Sequence, residues 1–216
     1  MRVYDEEKTG NTLYADLVRE LVRGLYATAD QSVAHRWDHI ERVLANTRKI
    51  APHFPDVDGE LLTLAALLHD VTSPFNRKEE HVELSMETAQ KILNEIGYPP
   101  DRTERVLAIM AEHSTERLRE GNLSSTEARI LFDADKIDGI GPNGIARAFA
   151  LFGQRGYPPP FAITWFRKKI ETSLSHMKTD PGRKIAMERL PYVEEFLQRF
   201  EAENARLPAC QKRNHL

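Results

Sequence analysis

His39, the adjacent pair His69-Asp70, and Asp135 are the residues whose types and setting could carry chemistry in this chain. His69 and Asp70 close the most apolar stretch of the sequence, in which Leu61, Leu62, Leu64, Ala65, Ala66, Leu67 and Leu68 follow Gly59. A helix apolar on nearly every side is a buried helix, and an unpaired charge at its end costs several kcal/mol. A divalent cation would supply the missing partner. Two imidazoles and two carboxylates form a mixed nitrogen and oxygen donor set. That set suits Mn, Fe, Co, Ni or Zn, with Mg also open, better than calcium or a thiolate-type site. With positions left for water and substrate, such a centre acidifies water and polarises a phosphoryl oxygen. A lone His or Asp in a helical chain is ordinarily a cap, a surface group or a satisfied core group. The setting lifts these four above that reading, because they belong to or border three different apolar helical segments.

The elements that must position them are helical. Leu13, Leu17, Leu21 and Leu25 are spaced four apart and read as one helical face behind the cap candidates Asn11 and Thr12. Ile40, Val43, Leu44, Thr47 and Ile50 mark a second helix, closed by Pro52. The third runs from Gly59 to Asp70 and is punctuated by Thr72, Ser73 and Pro74. A fourth extends from about Val82 to Ile96 and stops at Gly97. A fifth starts near Asp101 and carries Val106, Ile109 and Met110 toward His113. Ser124 or Ser125 caps a sixth, with Glu127 placed for a capping box and Ile130, Leu131, Ala134 and Ile137 on its apolar face. Further helices are expected at about Gly144 to Phe152, Phe161 to Met177 and Pro181 to Ala205. No alternating pattern supports a sheet, and no internal repeat appears. The expectation is an all-α bundle of roughly seven to nine helices. It forms a single domain over residues 1–216, with a core at about 11–155 and C-terminal helices at about 161–206 packing on it.

Composition narrows the partners. Hydrophobic residues make up 41% and charged residues 29% of the 216, an ordinary globular balance. Thirty Lys and Arg face 33 Asp and Glu, which gives no basic footprint for a nucleic-acid polymer. A local cationic pocket for a small phosphorylated compound remains open. Cys210 is the single cysteine, so neither an internal disulfide nor a Cys-rich zinc site is available, and a reducing cytoplasm is expected. No apolar stretch approaches the ~20 residues of a membrane span. The oligomeric state is left open.

The ordered pattern Asp38-His39-Ile40-Glu41-Arg42-Val43, Ala66-Leu67-Leu68-His69-Asp70, and Asp133-Ala134-Asp135-Lys136-Ile137-Asp138 resembles the HD-domain metal-dependent phosphohydrolase superfamily. The run from Gly139-Ile140-Gly141 through Gly144-Ile145-Ala146-Arg147-Ala148-Phe149 resembles one small stand-alone bacterial branch of it. The resemblance implies an α-helical bundle in which His39, His69, Asp70 and Asp135 ligate a metal ion. It implies hydrolysis of a small phosphorylated compound, a nucleotide above all, with nucleoside triphosphate pyrophosphohydrolase activity as one specific case.

Further residues are singled out with an alternative beside each. His113 resembles a histidine common in that branch and could bind phosphate, or join His81 around a second metal. A surface helix cap explains His81 equally well. His35 lies four residues before His39 and could orient a ligand, or simply start the helix. Lys136 could neutralise a phosphate, or be a solvated lysine. Asp138 could orient a ligand histidine or a water, or sit on a helix surface. Arg147 could fork onto phosphate oxygens, or be exposed. With Asp70 in the reaction, Lys136, Asp138 and His113 complete the candidate catalytic set.

Some superfamily members carry an acidic residue shortly after the His-Asp pair that assists water attack. Val71-Thr72-Ser73-Pro74-Phe75-Asn76 has none, which counts against guanosine tetraphosphate hydrolase and nucleoside monophosphatase readings. Gly156-Tyr157-Pro158 spells the tripeptide of the HD-GYP phosphodiesterases but lies beyond Asp135, and reads as a turn. Two other classes stay open: a catalytically silent nucleotide-binding regulatory module, and a di-iron oxygenase of the same fold.

Overall fold

The computed structural model describes residues 6–28, 36–72, 80–114 and 123–205, with side chains from residue 13 onward. Among them are nine α-helices and no strand. These are α1 (Glu6–Thr28), α2 (Trp37–Ile50), α3 (Gly59–Leu68), α4 (His81–Glu95), α5 (Pro100–Ala111), α6 (Thr126–Asp138), α7 (Pro142–Gln154), α8 (Pro159–Ser175) and α9 (Asp180–Asn204). A short 3-10 turn, Ala51–His53, carries Pro52 directly behind α2.

α3 is the hub. It packs against α1, α2, α5 and α6, which is why it has no polar face. Leu61, Leu64, Leu67 and Leu68 are fully buried. Asp58 starts this helix by accepting the backbone N–H of Leu61 at 3.1 Å. The helix proper ends at Leu68, so His69 and Asp70 occupy the turn just behind it.

α2 packs along α6. Asn46 of α2 donates to the Ala134 carbonyl at 3.0 Å, and Arg189 of α9 donates to Asn46 Oδ1 at 3.0 Å and to the Ile137 carbonyl at 2.8 Å. Asp133, fully buried, accepts Lys178 N, Thr179 N and Thr179 Oγ1 at 2.6–2.8 Å. Its carboxylate therefore anchors the start of α9 to α6. Burial pushes the Asp133 carboxyl above the usual range, against these hydrogen bonds. The turn from α6 into α7 brings the backbone of Gly139 against Gly144, where a Cβ would collide with the Gly139 carbonyl.

Several sequence expectations change. α1 begins at Glu6, so Asn11 and Thr12 lie inside it. Its leucine row, which spacing reads as one helical face without fixing its direction, lies outside the core. Leu13, Leu17, Leu21 and Leu25 are exposed, while Val18 and Val22 are fully buried, with Tyr14 and Tyr26 packed beside them. Spacing of four produces a stripe but does not say which way it points. Ser125 is the cap of α6, through Ala128 N at 3.0 Å, which puts Glu127 one position short of a capping box. Glu127 instead accepts the Asp58 backbone N–H at 2.8 Å, tying the start of α6 to that of α3.

Candidate metal centre

His39 projects from the first turn of α2, His69 and Asp70 from the turn after α3, and Asp135 from the third turn of α6. The fold brings all four together. His39 Nε2 lies 3.3 Å from His69 Nε2, 3.6 Å from Asp70 Oδ2 and 3.5 Å from Asp135 Oδ1. His69 Nε2 is 3.7 Å from Asp70 Oδ2. His39 and His69 are fully buried, and Asp70 nearly so. Such separations are long for hydrogen bonds, yet close to the ~3.0–3.5 Å between neighbouring donors that each sit ~2.1 Å from one ion.

The imidazole tautomers are set by their outer partners. His39 Nδ1 faces Asp138 Oδ2 at 2.7 Å, His69 Nδ1 faces the Ala66 carbonyl at 2.9 Å, and His113 Nδ1 faces the Met110 carbonyl at 2.6 Å. Each of those partners only accepts, so Nδ1 must carry the proton and donate. In the neutral rings each Nε2 then turns a lone pair inward. Two such lone pairs facing each other at 3.3 Å repel unless a proton or a cation lies between them. The donor set therefore fits a divalent cation.

A second cluster shares Asp70. Its Oδ1 lies 3.5 Å from His113 Nε2 and 3.8 Å from His81 Nε2. The rings of His39, His69, His113 and His81 form an edge-to-face chain with centroids 5.1–5.5 Å apart. Two triads can each hold an ion, His39-His69-Asp70 and Asp70-His81-His113. His81 opens α4 and is mostly buried, which corrects the surface-cap reading.

Electrostatics follow from burial and neighbours. Burial, reinforced by His113 and His39, pushes His69 down to about 4, which keeps it neutral. Burial and Arg147 pull His39 the same way, but hydrogen bonds to Asp138 and Asp70 outweigh them and raise it. Burial would raise Asp135, yet Lys136, His39 and His69 hold it well below the usual carboxylate range. Asp138 is likewise held far below that range, because His39, Arg147 and Arg42 outweigh its burial.

Asp138 is thus an interior residue, not a helix-surface one. Arg42, one turn beyond His39, donates to it from Nε at 2.5 Å, and Arg147 donates to its Oδ2. The guanidinium of Arg147 is therefore engaged with Asp138, although the residue also lines the cavity beside the centre. Lys136 Nζ donates to Asp135 Oδ2 at 2.7 Å and to the His113 carbonyl at 3.0 Å. On the far side, Tyr26 of α1 donates its hydroxyl to the Asp70 carbonyl at 2.6 Å. His35 lies outside the described residues.

The cavity has a volume of about 430 Å³. One wall carries Asp70, His81, His113 and Asp135. α8 lines the same cavity with Trp165, Lys168, Lys169, Thr172 and Ser173. Lys169 Nζ stands 5.0 Å from the Trp165 ring centre. None of these α8 residues was singled out from sequence. A Lys-Lys pair in an amphipathic helix looks like any solvated face, and only the packing of α8 on α7 and α9 turns it toward the centre. Gly156, with a positive φ of 74°, sits in the turn between α7 and α8, as its composition suggested.

The HD domain family profile matches residues 36–140. The chain is 29% identical over 195 residues to YpgQ of Bacillus subtilis, covering 87% of this chain and 92% of that one. The crystal structure of YpgQ in complex with ADP superposes with a TM-score of 0.68 at 27% identity, covering 88% of this chain and 97% of that chain. An HD-superfamily hydrolase of Bacillus thuringiensis superposes with a TM-score of 0.69 at 25% identity, covering 91% and 100%. A predicted HD-superfamily hydrolase of an uncultured Thermotogales bacterium is 30% identical, with a TM-score of 0.59, covering 86% and 90%.

Proposed function

The chain belongs to the HD-domain superfamily, and we propose that it is a metal-dependent phosphohydrolase whose substrate is a small phosphorylated compound, a nucleotide. The observation that carries this is the inward-facing pair of Nε2 atoms, each with its Nδ1 committed elsewhere, set against Asp70 and Asp135. His39, His69, Asp70 and Asp135 would hold the cation. A divalent ion supplies Lewis-acid charge to a phosphoryl oxygen and acidifies water at physiological pH.

The chain's own residues do the rest. Asp138 fixes the tautomer and orientation of His39. Ala66 and Met110 do the same for His69 and His113 through backbone carbonyls. Lys136, held between Asp135 and the His113 carbonyl, places a positive charge at the cavity floor, where charge on the phosphoryl oxygens would grow. Lys168 and Lys169 on α8 face the same space and suit the remaining phosphate charge, while Trp165 offers an aromatic surface for a base. The ADP bound by the similar Bacillus subtilis protein supports a nucleotide, and pyrophosphohydrolysis of a nucleoside triphosphate is the specific case put forward. The Asp70-His81-His113 triad favours a second reading, in which two ions share Asp70.

The test is the Asp70→Ala variant beside the parent protein, assayed on nucleoside mono-, di- and triphosphates with Mn and checked for metal content. Loss of bound metal together with a hundredfold or greater loss of turnover is expected, on the order of ~3 kcal/mol in the barrier. Unchanged turnover with unchanged metal content removes the pair from the mechanism. Metal-loaded parent protein that binds nucleotides but cleaves none would favour a silent binding module.

A further inference from the structure

α1 reaches the candidate metal centre through Tyr26. This residue lies in the last turn of the helix and donates its hydroxyl to the Asp70 carbonyl at 2.6 Å. A carbonyl only accepts, so the phenol is the donor. We propose that Tyr26 is a positioning residue of the centre, whose hydroxyl holds the Asp70 main chain so that its carboxylate faces both histidine clusters. The inference rests on the metal reading above and extends it to α1, a helix that supplies no ligand of its own to either cluster.

The need for such a group comes from where Asp70 stands. α3 proper ends at Leu68, and the Val71 N–H closes the turn behind it on the Leu68 carbonyl at 3.1 Å. Carbonyls at a helix end have no following turn to donate to them, and Asp70 is only 2% exposed, so water is a poor substitute for a protein donor. The aspartate side chain is short, so a rotation of its peptide moves both carboxylate oxygens together. Oδ2 stands 3.6 and 3.7 Å from the inner nitrogens of His39 and His69, and Oδ1 stands 3.5 and 3.8 Å from those of His113 and His81. A hydrogen bond that fixes this peptide therefore sets the geometry of both clusters at once.

The donor stands on a rigid support. Val22 and Val18, one and two turns before it, are fully buried, and α1 packs on α3. The Tyr26 ring lies 6.1 Å, centre to centre, from that of Trp37, which opens α2 two residues before His39. One side chain thus braces the ligand-bearing turn behind α3 against the ligand-bearing start of α2. Ligands keep a productive geometry when the groups that support them are themselves locked by packing. A phenylalanine would fill the same space beside Trp37, so ring packing alone gives no reason for the oxygen.

The test uses the full chain, stripped of metal and titrated calorimetrically with Mn alone, beside thermal melting in the presence of a chelator. Tyr26→Phe keeps the ring against Trp37 and removes the donor. Its Mn affinity is expected to fall about tenfold, as on loss of other groups that orient a metal ligand, with helical circular dichroism retained. Val22→Ala is the control for loosening of α1. It is expected to lower the melting temperature at least as far as Tyr26→Phe does, yet to bind Mn like the parent. A hydroxyl with a merely structural part would lower the melting temperature and leave Mn affinity alone. Parent-like Mn affinity in Tyr26→Phe therefore overturns the proposal, as does a loss of affinity in Val22→Ala equal to that in Tyr26→Phe. A parent chain that takes up no Mn overturns the metal reading itself, and this proposal with it.

Discussion

Asp138 and His39 stand 99 residues apart in the chain and meet in the core, where His39 Nδ1 donates to Asp138 Oδ2 at 2.7 Å. The same carboxylate accepts from Arg42 and Arg147. One buried side chain thus joins α2, α6 and α7 and aims the inner nitrogen of His39 at the centre.

Replacing Asp138 by Asn keeps the shape but removes the charge that faces an imidazole and two guanidiniums. Metal affinity is expected to fall about 10–100-fold, read by calorimetric titration with Mn. Asp138→Ala should also lose about 3–5 kcal/mol of stability, because two guanidiniums lose their buried partner, read by urea unfolding. Parent-like affinity in the Asn variant would show that His39 needs no such orienting group.

The pH response of the metal-free protein has opposing parts. His69 is depressed to about 4, while the unfolded chain takes up that proton near ~6.5. Its contribution to stability is therefore complete above ~6.5 and lost as pH falls from there toward about 4. His39 is raised, so its contribution is complete below the ordinary histidine value and lost as pH climbs through its folded one. Asp138, held low, contributes above ~3.9 and loses that contribution as pH falls further. In an NMR titration the His69 ring should stay neutral down to about pH 4. A His69 resonance that titrates near 6.5 contradicts this picture.

Lys169→Ala and Trp165→Ala should act on binding more than on the chemical step. An approximately tenfold rise in KM, about 1.4 kcal/mol, is expected with a smaller change in kcat. The lysine variant should also lose part of the salt dependence of kcat/KM. A fall in kcat alone would assign α8 to the reacting centre itself.

Gly182 sits where a Cβ would collide with Asp133 Oδ2 and Thr179 Oγ1. Gly182→Ala should cost about 1–3 kcal/mol through crowding of that anchor, read as a lower melting temperature with metal binding retained. An unchanged melting temperature would mean that the start of α9 yields freely.

The reach of the sequence can be traced residue by residue. The helices, the burial of α3 and the convergence of His39, His69, Asp70 and Asp135 were legible, because local periodicity records which stripe is apolar and ordered motifs record which polar groups share a purpose. Asp138 was legible as a candidate, since it stands three residues beyond Asp135 on a neighbouring face of one helix. Its engagement with Arg42 and Arg147 was not, because pairing across α2, α6 and α7 depends on how the helices cross. The turning of Lys168 and Lys169 toward the cavity was decided by the packing of α8. The outward leucines of α1 make the same point in reverse. Periodicity places side chains on a common face of a helix, but only the neighbours that the helix meets determine whether that face is covered by the rest of the chain or left to water.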